Sequence, residues 1–138
     1  MTRKISFILL MVSLGACTKK ANKPACSISE CTQEFRSVGI RFTDKAGAGV
    51  DVQNFSVKNL RSDSIIAGQG VIDPGFSPAY RTIATDGNKA QLSAEGDNLE
   101  ISATHPVTHQ VKTAIVKIAG GCACHISKIS GPDTVAFD

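Results

Sequence analysis

Between Gln33 and the C-terminus, no window of about eleven residues carries a helical stripe free of glycine, proline or strand-forming residues. The apolar residues come instead in short runs separated by turn residues. In residues 35–42, Val38, Ile40 and Phe42 share one parity while Ser37, Gly39 and Arg41 share the other, the period of two of a half-buried strand. Asp44-Lys45-Ala46-Gly47-Ala48-Gly49 then predicts a turn. A second strand falls within residues 50–60, where Phe55 and Val57 flank Ser56, followed by a turn over Arg61-Ser62-Asp63-Ser64 and a short strand at residues 65–67. The glycines and prolines of residues 68–79 predict a long loop. Further strands are expected at residues 80–84, 90–94, 99–103, 111–119, 122–129 and 134–137, with 90–94 and 99–103 forming a hairpin around Glu95-Gly96-Asp97-Asn98. About seven to nine short strands without a helix make an all-β chain, a sandwich or a small barrel.

The N-terminus has a different character. Arg3 and Lys4 precede the apolar run of residues 5–12, and Leu14-Gly15-Ala16-Cys17 follows. A basic start, a short apolar run and small residues before a cut are the parts of an export signal, and the run falls well short of the ~20 residues of a spanning helix. The last four residues resemble the bacterial lipobox. That resemblance implies cleavage before Cys17, lipidation of its thiol, palmitate among its acyl chains, and anchoring in the membrane. By resemblance to the enterobacterial sorting rule, in which an aspartate after the cysteine retains the protein at the inner membrane, Thr18 implies the outer membrane. The expected organisation is a signal peptide over 1–16, a lipidated N-terminus and tether over 17–29, and one β domain over 30–138.

Net charge is +3 over the whole chain, but Arg3 and Lys4 leave with the leader, and Lys19, Lys20 and Lys23 belong to the tether. The remainder is slightly acidic, which gives no basis for nucleic-acid binding.

Apart from Cys17 there are four cysteines, Cys26, Cys31, Cys122 and Cys124, at the two ends of the domain sequence. In a strand, Cys122 and Cys124 face the same side with Cα atoms roughly 6.5 Å apart, which strains a bond between them. The favoured arrangement joins Cys26 and Cys31 to Cys122 and Cys124 by two long-range disulfides. Local pairing of Cys26 with Cys31, and thiols left reduced or metal-bound, are the alternatives. A metal site would draw on Cys26, Cys31, Cys122, Cys124 and His125, soft ligands for zinc or copper, although Cys-x-Cys wraps an ion poorly and His125 would face away from both cysteines in a regular strand. No cofactor is expected.

The other polar candidates read as structural. His105 and His109 flank Pro106 and are expected to be exposed. Glu95 and Asp97 fit the rim of a turn rather than an acid–base pair. Gly68-Gln69-Gly70 lacks the lysine and helix of a phosphate loop. No order of serine, histidine and aspartate reads as a catalytic triad, so no enzymatic activity is expected. The loop that carries Phe76, with Tyr80 just after it, is the candidate binding surface.

Cys122-Ala123-Cys124-His125-Ile126-Ser127-Lys128-Ile129-Ser130-Gly131-Pro132, together with the lipobox and Leu99-Glu100-Ile101-Ser102-Ala103-Thr104, resembles small lipoproteins of Bacteroidota. The first half, around the Asp44 turn, resembles transthyretin-like or carboxypeptidase-regulatory-like modules. These likenesses imply an immunoglobulin-like or transthyretin-like β-sandwich acting as a non-catalytic binding or assembly module, with another envelope protein or a glycan as partner. A metal-binding or thiol-active envelope protein using the cysteine cluster is the alternative.

Overall fold

The computed structural model describes Cys26, residues 30–66 and residues 78–138. Eight strands occur in this part: β1 (Ser37–Thr43), β2 (Gln53–Asn59), β3 (Ser64–Ile65), β4 (Tyr80–Thr85), β5 (Asp97–Thr104), β6 (Val111–Ala119), β7 (Ser127–Ser130) and β8 (Thr134–Ala136). They form a three-stranded sheet in the order β4-β1-β8 and a five-stranded sheet in the order β3-β2-β5-β6-β7. Ile40 and Phe42 of the first sheet and Val57, Leu99, Ile101, Val116 and Ile118 of the second share one buried cluster. The fold is therefore an all-β, sandwich-like pair of sheets.

The period of two explains these faces. On β5, Asp97, Leu99, Ile101 and Ala103 point inward and are buried, while the residues between them are half-buried or exposed. The pairing of β5 with β6 runs from Asp97 opposite Ile118 to Thr104 opposite Val111. Residues 105–110 therefore form the hairpin turn, and the hairpin expected between residues 90–94 and 99–103 does not exist. The first of those segments belongs instead to a 3-10 helix over Asp86–Gln91 and the turn after it. Thr85 caps that helix: its hydroxyl accepts from the Gly87 N–H, and the Asn88 side chain accepts from the Thr85 N–H at 2.9 Å.

The C-terminal cysteines also differ from expectation. Residues 121–125 form turns and bends, and strand β7 begins only at Ser127. Cys122 and Cys124 thus do not lie on a strand. They are bonded to Cys26 and Cys31 respectively, with Cα separations of 5.1 and 5.3 Å. Residues 30–36 enter no strand, yet they are held against the sandwich through these bridges.

The bridges close loops of 96 and 93 residues, each worth roughly 4 to 5 kcal/mol in the chain-entropy model. Complete reduction, checked by thiol titration, is expected to lower Tm by more than ~10 °C in a thermal melt. A shift below ~3 °C would mean that the core holds the fold without them.

Candidate functional site

Two glycines build the end of the sandwich where the cysteines meet. After β6, the Gly120 N–H donates to the Ser93 carbonyl and the Gly121 N–H to the Lys89 carbonyl, each at 2.9 Å. A Cβ on Gly120 would stand 2.9 Å from the Lys89 carbonyl oxygen, and Gly121 has φ +62°. Only glycines let the chain lie this close to the 3-10 helix. Lys89 completes the contact with Nζ donating to the Cys124 carbonyl at 3.2 Å.

Two carboxylates organise this end, one buried and one half-buried. Asp97, whose side chain is 1% exposed, accepts from Arg61 Nε at 2.7 Å and Nη2 at 2.8 Å, from Asn59 Nδ2 at 2.7 Å, and from the Ser93 hydroxyl at 2.6 Å. Burial works to raise its pKa but is outweighed by Arg61, Ser93 and Asn59, which hold it well below the usual carboxylate range. Asp97 is therefore not at a turn rim as expected; of the expected pair, only Glu95 is exposed. Arg61, its guanidinium fixed in this fork, is 55% exposed. It borders one groove of about 510 Å³ that also includes Glu95 and Lys117, and another of about 570 Å³ lined by Cys26, Leu92, Ala94, Glu95 and Cys122.

Asp86 is the second carboxylate. It accepts from the backbone N–H groups of Arg36 (2.9 Å) and Ile126 (2.8 Å), and it lies 2.7 Å from His125 Nδ1. Burial again opposes ionisation and is outweighed by these three contacts, which lower the pKa to about 2. His125 Nε2 lies 2.9 Å from the hydroxyl of Thr32. Asp86, His125 and Thr32 thus form a carboxylate–imidazole–hydroxyl line across three distant segments. No spacing rule in the sequence connects them. The signal for Asp97 was available, because it continues the inward parity of Leu99, Ile101 and Ala103.

The remaining candidates lie elsewhere. Cys26, Cys31, Cys122 and Cys124 are all consumed in disulfides, and both ring nitrogens of His125 are engaged. Among the described residues, no group of three or more His, Cys, Asp or Glu is placed to hold a metal ion. His105 is half-buried rather than exposed. Its Nδ1 accepts from the N–H groups of Val107 and Thr108, and its ring meets Phe137 edge-on at 5.1 Å. His109 is exposed, with φ 57° in the same turn. Tyr80 opens β4 and packs over Gly39 of β1, where its ring leaves no room for a Cβ. Phe76 and Cys17 lie outside the described residues. No protein-family model, curated protein or solved structure matches the chain.

Replacing Asp97 by alanine orphans the groups that converge on it, and the expected loss is about 3 kcal/mol by urea denaturation. The Asp86 pKa is lowered from 3.8 to about 2 on folding, so the unfolded chain binds the proton more readily. Its contribution to stability is complete above the unfolded value and is lost as pH falls through about 2. Between pH 5 and 2, Asp86→Asn is expected to show a shallower loss of stability than the unmodified protein.

Proposed function

We propose that this chain is a lipid-anchored lipoprotein of the bacterial envelope, of the kind found in Bacteroidota, and that its domain is a binding module whose recognition surface is the Arg61 end of the sandwich. The observation that carries the reading is the 570 Å³ groove between the 3-10 helix and the Cys26–Cys122 bridge. One rim is a guanidinium that the Asp97 fork holds in place, and the floor includes buried Leu92. A held guanidinium and the Glu95 carboxylate beside an apolar floor suit a partner that offers both a hydrogen-bond acceptor and a donor with some apolar surface.

Position relative to the membrane supports the same end. Nine residue steps separate Cys17 from Cys26, and an extended chain covers at most about 32 Å in that distance. With lipid on Cys17, the groove stays within reach of the outer membrane surface, and the partner is an envelope protein or a glycan displayed there. No helix among the described residues is long and apolar enough to cross a membrane, so in this reading the lipid is the anchor.

A photo-crosslinking residue placed at exposed Ala94, in the groove wall, is expected to yield a discrete adduct in intact envelopes. The same residue at Val107, 78% exposed at the opposite end of the β5–β6 hairpin, is expected to yield none. Loss of the Ala94 adduct on Ala90→Glu would place the partner in the groove. Equal adducts from both positions, or none from Ala94, would overturn this reading. Mass spectrometry of the N-terminal peptide tests the anchor separately: the chain is expected to begin at Cys17 with acyl chains attached, and an unmodified Cys17 would overturn the anchor.

A further inference from the structure

In the line from Asp86 through His125 to Thr32, the carboxylate selects one tautomer of the neutral imidazole. Asp86, with its carboxyl ionised at neutral pH, only accepts, so the proton between it and His125 sits on Nδ1. In the neutral imidazole Nε2 is then a lone pair, and the only proton available at the 2.9 Å contact is that of the Thr32 hydroxyl. This is the arrangement in which an imidazole takes a proton from an attacking hydroxyl. The base and the carboxylate are each 13% exposed, whereas Thr32 is exposed. The hydroxyl thus belongs to an exposed residue, with the more buried imidazole and carboxylate behind it.

The neighbouring bridge separates this arrangement from a simple fastening. Thr32 follows Cys31 and His125 follows Cys124, and those two cysteines are bonded to each other. The segment is already attached covalently one residue away, so a further hydrogen bond adds little to attachment. What the bridge does achieve is to fix the backbones that carry the hydroxyl and the imidazole. Lys89 Nζ, donating to the Cys124 carbonyl at 3.2 Å, also holds the turn from which His125 projects.

We propose that Thr32 is an acyl-accepting nucleophile, with His125 as its general base and Asp86 as the positioning residue of the imidazole, acting on accessible esters of short acyl groups. The inference goes beyond the binding reading and does not rest on it. In the first step Thr32 Oγ1 bonds to the acyl carbon while its proton passes to His125 Nε2. The bond from that carbon to the alkoxy oxygen breaks, and the departing oxygen takes the proton from Nε2. Water then attacks the threonyl ester by the same proton route, releasing the carboxylic acid and restoring the hydroxyl. A secondary hydroxyl on an open surface suits a small acyl group on an unhindered ester.

The test is acetylation of the full-length protein, purified in detergent with both bridges intact, by p-nitrophenyl acetate. Peptide mapping by mass spectrometry follows the Thr32 peptide. One acetyl group is expected on Thr32. Thr32→Val is expected to lose the adduct at this peptide and to release p-nitrophenol at least ~10-fold more slowly, with Tm unchanged. Thr32→Ser, a less hindered primary hydroxyl, is expected to react faster than the unmodified protein. Asp86→Asn is expected to lose labelling that Asp86→Glu partly restores, since glutamate again supplies an accepting carboxylate to Nδ1. Acetyl groups on lysines alone, or equal p-nitrophenol release from Thr32→Val and the unmodified protein, would overturn the proposal.

Discussion

Everything distinctive about this domain depends on two covalent bridges between its N-terminal segment and a single turn near its C-terminus. Residues 30–36 contribute no strand, so the sheets alone give that segment no place. Cys26–Cys122 and Cys31–Cys124 supply the place, and Asp86 secures it by accepting the Arg36 N–H. The turn can receive the segment because Gly120 and Gly121 bring it against the 3-10 helix at backbone distance. A domain of this size buries one modest core, and crosslinks of long span offset the entropy that such a core leaves uncompensated.

The two ends of the sandwich are built on opposite principles. At the His105 end, the turn is closed by its own histidine, whose ring lies against buried Phe137 and whose Nδ1 satisfies two backbone donors. At the cysteine end, two carboxylates, Asp97 wholly and Asp86 largely shielded from water, are held ionised. Each is compensated locally, Asp97 by a guanidinium, an amide and a hydroxyl, and Asp86 by two backbone donors and an imidazole. Burying charge in this way is costly unless every acceptor is used. The outcome is a set of polar side chains fixed in orientation, which is why the proposed groove and the proposed relay are both placed at this end.

How much of this was legible in the sequence varies with the range of the interaction. Strands β5 and β6 followed from parity, since Leu99, Ile101, Val116 and Ile118 alternate with polar residues and fill the core. The 3-10 helix did not, because Ala90, Leu92 and Ala94 have the same alternation. What decides that segment is the Thr85–Asn88 cap and the close approach of the following glycines, both set by tertiary context. The strand expected through Cys122 failed for a related reason: positive φ at Gly121 turns the chain, and the bridges hold it in bends until Ser127. Asp97 could be anticipated as a buried, paired charge from its inward register. The Asp86–His125 pair could not, since 39 residues separate its members and no periodicity relates them.

The same bridges couple any activity of this end to the compartment the chain is in. Cys26 and Cys122 line the groove beside Arg61, and Cys31–Cys124 fixes the backbones of Thr32 and His125. Both bridges span more than 90 residues, so each holds together segments that no local contact along the chain would bring near. In a reducing cytosol the sheets could form, but the segment would have no covalent hold, and groove and relay would both be incomplete. Without the two bonds the sheets keep their own pairing, while the segment that carries Thr32 and the groove wall at Cys26 lose their covalent hold.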